Sequence, residues 1–258
     1  MQRNDLHFFI QTSGSVQVIP MNSHACWCTR LFALTLAASW LVQAAVPAQE
    51  ETRTRTPAPV MSYHGAQWLE RPSRLEEERP FEVLKSMGLK PGMKVADIGC
   101  GSGYYARKMA KQVGPDGVVY GVDIQPEMLD IMAQLCEKEE VTNVKPVLGG
   151  EKDPKLPRGE IDWMILADVY HEFQYPEEML AKMLEALAPG GKIALLEYRA
   201  EAFRTASHIK PEHRMTVRDV LAEWNAAGFE LVDLQESLPS QHLFIFRKRP
   251  DRDEKPSQ

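Results

Sequence analysis

From Lys94 onward the chain alternates short apolar runs with longer amphipathic ones, and this predicts strands and helices in turn. Apolar "KVADIG" precedes helical "GYYARKMAKQVG", and "GVVYGVDI" reads as a strand. In "QPEMLDIMAQLCEKEEV" Met128, Ile131, Met132 and Leu135 keep the spacing of one buried helix face. "NVKPVLG" is a short strand and "IDWMILADV" a strand too apolar to have a wet face. "PEEMLAKMLEALAPGG" is a helix closed by Pro-Gly-Gly, and "KIALLEYR" is another buried strand. Strands apolar on both faces and separated by helices predict an α/β fold with a parallel sheet covered on both sides. The style changes in "TVRDVLAEWNAAGFELVDLQESLPSQHLFIFRKR". A helix capped by Thr216 with Asp219 leads there into two strands and a short polar turn, an antiparallel hairpin at the sheet edge. Upstream, "RPSRLEEERPFEVLKSMGLKPG" predicts a helix towards Met87, with Ser73 and Glu76 as a capping box, a break at Pro80 and Gly88 at the C-terminus.

The first fifty residues break this pattern. "CTRLFALTLAASWLVQAAVPAQE" has Arg30, an apolar run from Leu31 to Val42 and then small residues, with cleavage candidates at Val42-Gln43-Ala44 and Val46-Pro47-Ala48. The run has the length of a secretory-signal core and is short for a membrane span. The expected organisation is a leader over 1–48, a linker over 49–60, one domain over 61–250 and a polar tail over 251–258. The leader predicts export, to a periplasm for instance, with no stable membrane span after its removal. An unused leader leaves the protein cytoplasmic. Removing 1–48 leaves Cys100 and Cys136, too few for a disulfide framework or a zinc cluster. Composition suits a soluble globular chain, with 44% hydrophobic and 26% charged residues among 258. The formal net charge of −6 and the lack of a long basic run argue against nucleic acid as partner.

The chemistry concentrates at "VADIGCGSGYYARKMA". Gly99, Gly101 and Gly103 follow a strand directly and precede a helix, a turn that lets backbone N–H groups approach a ligand. Asp97 stands two residues before the first glycine, and Asp123 ends the next strand, where a carboxylate can accept both hydroxyls of a ribose. No Lys-Ser or Lys-Thr follows the loop, which excludes a triphosphate P-loop. A dinucleotide survives in one register, Gly101-Ser-Gly103-Tyr-Tyr-Ala106, although Asp97 would crowd a pyrophosphate and the chain ends in a hairpin instead of a second mononucleotide half.

Taken together, "VADIGCGSGYYARKMA", "VYGVDIQPEML", "IDWMILADVYHEF" and "LEALAPGGKIALLEYR" resemble the successive motifs of the class I S-adenosylmethionine-dependent methyltransferases, in family order and spacing. The resemblance implies a three-layer Rossmann-like fold whose seven-stranded, mostly parallel sheet runs 3-2-1-4-5-7-6 with the hairpin antiparallel. It implies S-adenosyl-L-methionine as cofactor, with Asp97 among its binding residues, Gly99, Gly101 and Gly103 lining its methionyl and ribose portions, and Asp168 and Tyr170 beside the sulfonium. Asp123 would hold the ribose hydroxyls, and Ile124 would pack on adenine. Gly150 and Glu151 would lie beside adenine, a departure from the commoner Gly-Asp. "YHGAQWLERPSRLEEERP" is similar to the family's N-terminal flap, making Trp68, Leu69 and Arg74 candidates to touch cofactor or acceptor.

Methyl transfer from a sulfonium needs alignment of the acceptor, and a base only where the acceptor must lose a proton. "ADVYHEF" places Tyr170 and His171 where the acceptor should meet the methyl group, with His171 the first choice for a base. This loop lacks the Asn/Asp-Pro-Pro-Tyr sequence of amino methylation on bases, and the chain lacks a cluster of reactive cysteines, which leaves a small molecule or a protein side chain as acceptor. A small molecule is the expected partner. "HIKPEHRMTVRDVLAEW" adds His208, His213 and Arg214, which could read an anionic acceptor. These histidines lack helical metal spacing and no acid completes a ligand set, so no metal is expected. The alternatives are an NAD(P)-dependent oxidoreductase and a cofactor-binding envelope protein without catalysis.

Overall fold

The computed structural model describes residues 55–201 and 208–250; the expected leader, residues 49–54 of the linker and the polar tail lie outside them. Three short helices come first: α1 (Ala66–Leu69), α2 (Arg74–Glu78) and α3 (Pro80–Met87). The alternating part follows as β1 (Lys94–Ile98), α4 (Tyr104–Val113), β2 (Val118–Asp123), α5 (Pro126–Lys138), β3 (Val144–Leu148) and β4 (Ile161–Ala167). It continues through α6 (Pro176–Ala186), β5 (Leu187–Tyr198), α7 (Val217–Ala226), β6 (Phe229–Gln235) and β7 (Gln241–Lys248). The strands form one seven-stranded sheet in the order β3-β2-β1-β4-β5-β7-β6. β1 to β5 pair in parallel, and β7 runs antiparallel to both β5 and β6, as the motif order implied.

Burial on both faces shows why the central strands carry almost no polar residue. In β4, Trp163 and Ile165 enter the core on one side with Val95, Tyr105 and Met109, whereas Met164 and Leu166 enter the other with Ala96, Ile98 and Leu195. The second core is closed by α7, where Trp224 stacks on Phe246 of β7 at 4.4 Å between ring centroids and 17° between planes.

Local details depart from expectation in three places. Ser73 precedes α2 but gives no side-chain cap to its backbone, so the expected capping box does not form. The break before Pro80 is made by Arg79 in the left-handed region (φ 47°), after which Pro80 opens α3 at a position that needs no N–H. The chain from Arg55 to Val60, expected as linker, is docked on the domain. Arg55 donates to the carbonyls of Tyr170 and His171 and pairs with Glu223, and the Ala58 N–H donates to the His171 carbonyl at 3.0 Å.

Trp224→Ala removes the largest fully buried side chain of the second core. It should lower unfolding free energy by about 3–5 kcal/mol in urea titration; a loss below about 1 kcal/mol would contradict the packing described.

Candidate active site at the carboxyl ends of the strands

β1 delivers the chain into the glycine loop, and two carboxylates hold that loop. Asp97 Oδ2 accepts the Ala106 N–H at 2.9 Å, fixing the first turn of α4 against β1. Asp123, at the end of β2, accepts the Gly101 N–H at Oδ2 and the Gln125 N–H at Oδ1, both at 2.9 Å. The loop needs glycine for two reasons at once. Gly99 has φ 65°, and a Cβ there would stand 2.3 Å from Val169 Cγ2; at Gly101 (φ 51°) it would stand 2.6 Å from Leu69 Cδ1.

Burial raises all three acids of this region. Asp97, 2% exposed, is pushed up to about 7 by desolvation, with the Ala106 N–H and Arg74 opposing the rise. Desolvation also raises Asp123 against the backbone N–H groups it accepts. Half-buried Asp168, with φ 55°, is raised well above the carboxylate range by desolvation and by Glu78 and Glu197. Its Oδ2 accepts from Gln241 Nε2, while Oδ1 and the Tyr105 and Tyr198 hydroxyls are shielded and have no hydrogen-bond partner among the described residues. Orphaned polar atoms of this kind suit a polar ligand.

The N-terminal segment lies over the loop. Leu69 meets Gly101, and Glu70 accepts from Ser102 Oγ and pairs with Arg107 at 2.7 Å. Arg74 is buried, pairs with Glu78 at 2.8 Å and stands over the Tyr104 ring. Trp68 is exposed and stacks under Arg71. Of the expected adenine contacts, Ile124 projects into solvent at 40% exposure. Beyond β3, the Gly150 N–H donates to the Asp153 carbonyl and Glu151 is exposed.

Beyond β4 the two residues expected to be catalytic part company. Tyr170 is fully buried in the second core, and its hydroxyl donates to Glu223 of α7 at 2.6 Å. His171 Nδ1 donates to Glu197 Oε2 at 2.7 Å, and its Nε2 stands 3.0 Å from His213 Nδ1. Burial alone would lower the His171 imidazole, but Glu197 holds it above its ordinary value; burial and His171 lower His213. Glu172 is pushed up to about 7 by burial, with His171 opposing. Sequence reasoning missed Glu197, Gln241 and Tyr198. For Glu197 the signal existed: it is the one acid in an otherwise apolar strand interior, "KIALLEYR".

The family described as "Methyltransferase domain" matches residues 89–238. With this fold and loop, the chain belongs to that family: it is a class I S-adenosylmethionine-dependent methyltransferase. It is similar to the ubiquinone/menaquinone biosynthesis C-methyltransferase UbiE of Cupriavidus taiwanensis, 38% identical over 117 residues, covering 45% of this chain and 47% of that one. It is also similar to the demethylmenaquinone methyltransferase of a Geobacillus species, 28% identical over 116 residues, 45% of this chain and 50% of that one. The chain thus spans about half the length of the curated relatives it matches. The crystal structure of a SAM-dependent methyltransferase from Aquifex aeolicus superposes with a TM-score of 0.68 at 28% identity, over 72% of this chain and 98% of that one. Membership of this family sets the oxidoreductase alternative aside. Among the described residues no helix is long and apolar enough to cross a membrane.

The Asp97 shift has a measurable sign. Its folded value lies above the ordinary 3.8, so the folded chain holds that proton more tightly. Its contribution to stability is full below pH 3.8 and declines as pH rises to about 7. Asp97→Asn should therefore gain stability relative to wild type across that window, by up to ~1.4 kcal/mol per pH unit. Urea titrations at several pH values would show it; a pH-independent difference would contradict the shift.

Proposed function

We propose that this methyltransferase acts on a small aromatic acceptor of the quinone-precursor class, at a ring carbon next to a phenolic oxygen. The observation that carries this reading is the Glu197–His171–His213 array beside the end of β4, buried at Glu197 and His171 and half-buried at His213. The names of the C-methyltransferase relatives supply the acceptor class.

The residues fit the cofactor. S-adenosylmethionine, when bound, supplies a methyl carbon on a positively charged sulfur, and the acceptor carbon bonds to that carbon in line as the sulfur keeps the electron pair of the bond that breaks. Burial holds Asp97 and Asp168 towards their neutral forms in the free chain, and a cationic ligand beside them would favour their charged forms. Asp123, at the end of β2, would hold the ribose hydroxyls. Gly99, Gly101 and Gly103 let the loop backbone turn tightly beside the ligand, Ile124 offers an apolar face to adenine, and Gly150 and Glu151 border it. The segment Leu69–Arg74 covers the crevice and excludes water.

A phenol ring becomes a carbon nucleophile once its oxygen is ionised. His171, oriented through Nδ1 by Glu197, supports loss of that proton, and once the methyl group has arrived the ring carbon gives up its own proton to solvent, restoring the aromatic ring. Tyr170 serves as a packing residue that holds the His171 backbone through Arg55 and Glu223. The leader, where used, takes this activity outside the cytoplasm.

Labelled S-adenosylmethionine incubated with demethylmenaquinol or simple alkylated hydroquinones tests the acceptor class. Label on a ring carbon is expected, and label found only on protein would contradict it. Asp123→Ala should weaken S-adenosylhomocysteine binding about 10–100-fold in calorimetry, the range for losing a charged hydrogen-bond partner. His171→Ala should leave that binding intact and lower turnover; a full-rate variant removes His171 from the mechanism.

A further inference from the structure

We propose that His171, Glu172 and His213 bind a divalent transition-metal cation of the zinc class, whose open position takes the ionised oxygen of the acceptor. The role at the acceptor rests on the reading above; the site itself rests on geometry. One ligand atom from each of the three residues lies within 4.8 Å of the others, and His171 Nε2 is 3.0 Å from His213 Nδ1. Two nitrogens bound to one ion at ~2.0–2.1 Å stand about 2.9–3.4 Å apart, so the pair needs little movement to share a metal. The carboxylate of Glu172 accepts the Met61 N–H and forms no ion pair among the described residues. Two imidazoles with one carboxylate make a donor set for first-row divalent ions that leaves a position open.

A second observation points the same way. Glu197 is 0% exposed, and its only ion-pair partner among the described residues is His171. A carboxylate cannot donate, so the proton of this contact sits on His171 Nδ1, which leaves Nε2 as the ligating nitrogen. Metal-bound histidines are commonly oriented by such a carboxylate on the other ring nitrogen.

His213 reaches the site through the chain after β5. Met215 bridges Arg199 beyond the end of β5, with its N–H on the Tyr198 carbonyl at 2.9 Å, and so carries His213 towards His171. A cavity of about 210 Å³ opens against His171, lined also by Arg55, Thr56, Met215 and Asp219. With a metal bound, the cation would replace His171 as the group that favours ionisation of an acceptor oxygen entering the cavity; the phenolic proton would go to solvent, and so would the ring carbon's own proton after that carbon takes the methyl group.

The test uses the tagless full chain stripped with chelator, titrated with Co2+ while visible absorption is followed and then competed with Zn2+. The expected result is one ion per chain, with zinc binding below ~1 µM. His213→Ala should weaken binding at least tenfold and Glu197→Gln about 10–100-fold, whereas His208→Ala leaves it unchanged. S-adenosylhomocysteine binding is measured on each variant as the check of folding; if His213→Ala loses it, Glu197→Gln decides. No ion bound below ~100 µM, or undiminished binding in the deciding variant, overturns the proposal and leaves two histidines sharing a proton. Methyl transfer to a quinone precursor at full rate without bound metal would sink the metal's role at the acceptor and leave the proposed function standing, whereas metal binding without such transfer would sink the acceptor class and leave the site standing.

Discussion

The structure depends on a loop held between two buried acids. A chain leaving a central parallel strand has to turn at once into the helix that covers the sheet, and here its backbone is fixed by Asp97 at Ala106 and by Asp123 at Gly101. Those two contacts come from neighbouring strands, β1 and β2, so the loop takes its shape only when the sheet is in register. Desolvation of both carboxylates makes the arrangement costly without a ligand and receptive to a cationic one.

Strand ends farther along the sheet extend the same theme. Asp168 and Glu197 end apolar strands whose interiors cannot solvate charge, and each is met by a neutral or titratable partner, Gln241 or His171. Acid is thus concentrated along one edge of the sheet, from Asp123 to Glu197. The short N-terminal helices bring their own cations, of which Arg74 is already paired with Glu78. Packing explains the layers, and this uneven distribution of buried charge explains where chemistry can occur.

Much of this was legible in the sequence because it follows from period and punctuation. Runs such as "IDWMILADV" allow only a strand buried on two sides, and the glycines with Asp97 and Asp123 mark the loop without any neighbour being known. The remainder is tertiary. Nothing near His213 in the chain hints that it meets His171, 42 residues away, because the bridge between Arg199 and Met215 makes that contact. Tyr170 stands beside His171 in sequence, yet the short helical turn after β4 sends its ring into the core. Residues from Arg55 to Val60 read as linker by composition, but backbone and guanidinium donors tie them to the carbonyls beyond β4. The Ser73 capping box failed because a sequence match cannot specify the backbone angles a cap needs, and Ser73 is already helical (φ −61°, ψ −19°).

The central claim is that the carboxyl edge of β1 and β2 is a nucleoside site whose ribose contact is Asp123. A crystal structure of the full chain grown with S-adenosylhomocysteine measures this directly. Both ribose hydroxyls are expected on the Asp123 carboxylate, with the amino-acid end lying along the glycine loop. A ligand bound elsewhere, or a crevice filled by Leu69 and Glu70 at saturating ligand, would contradict it.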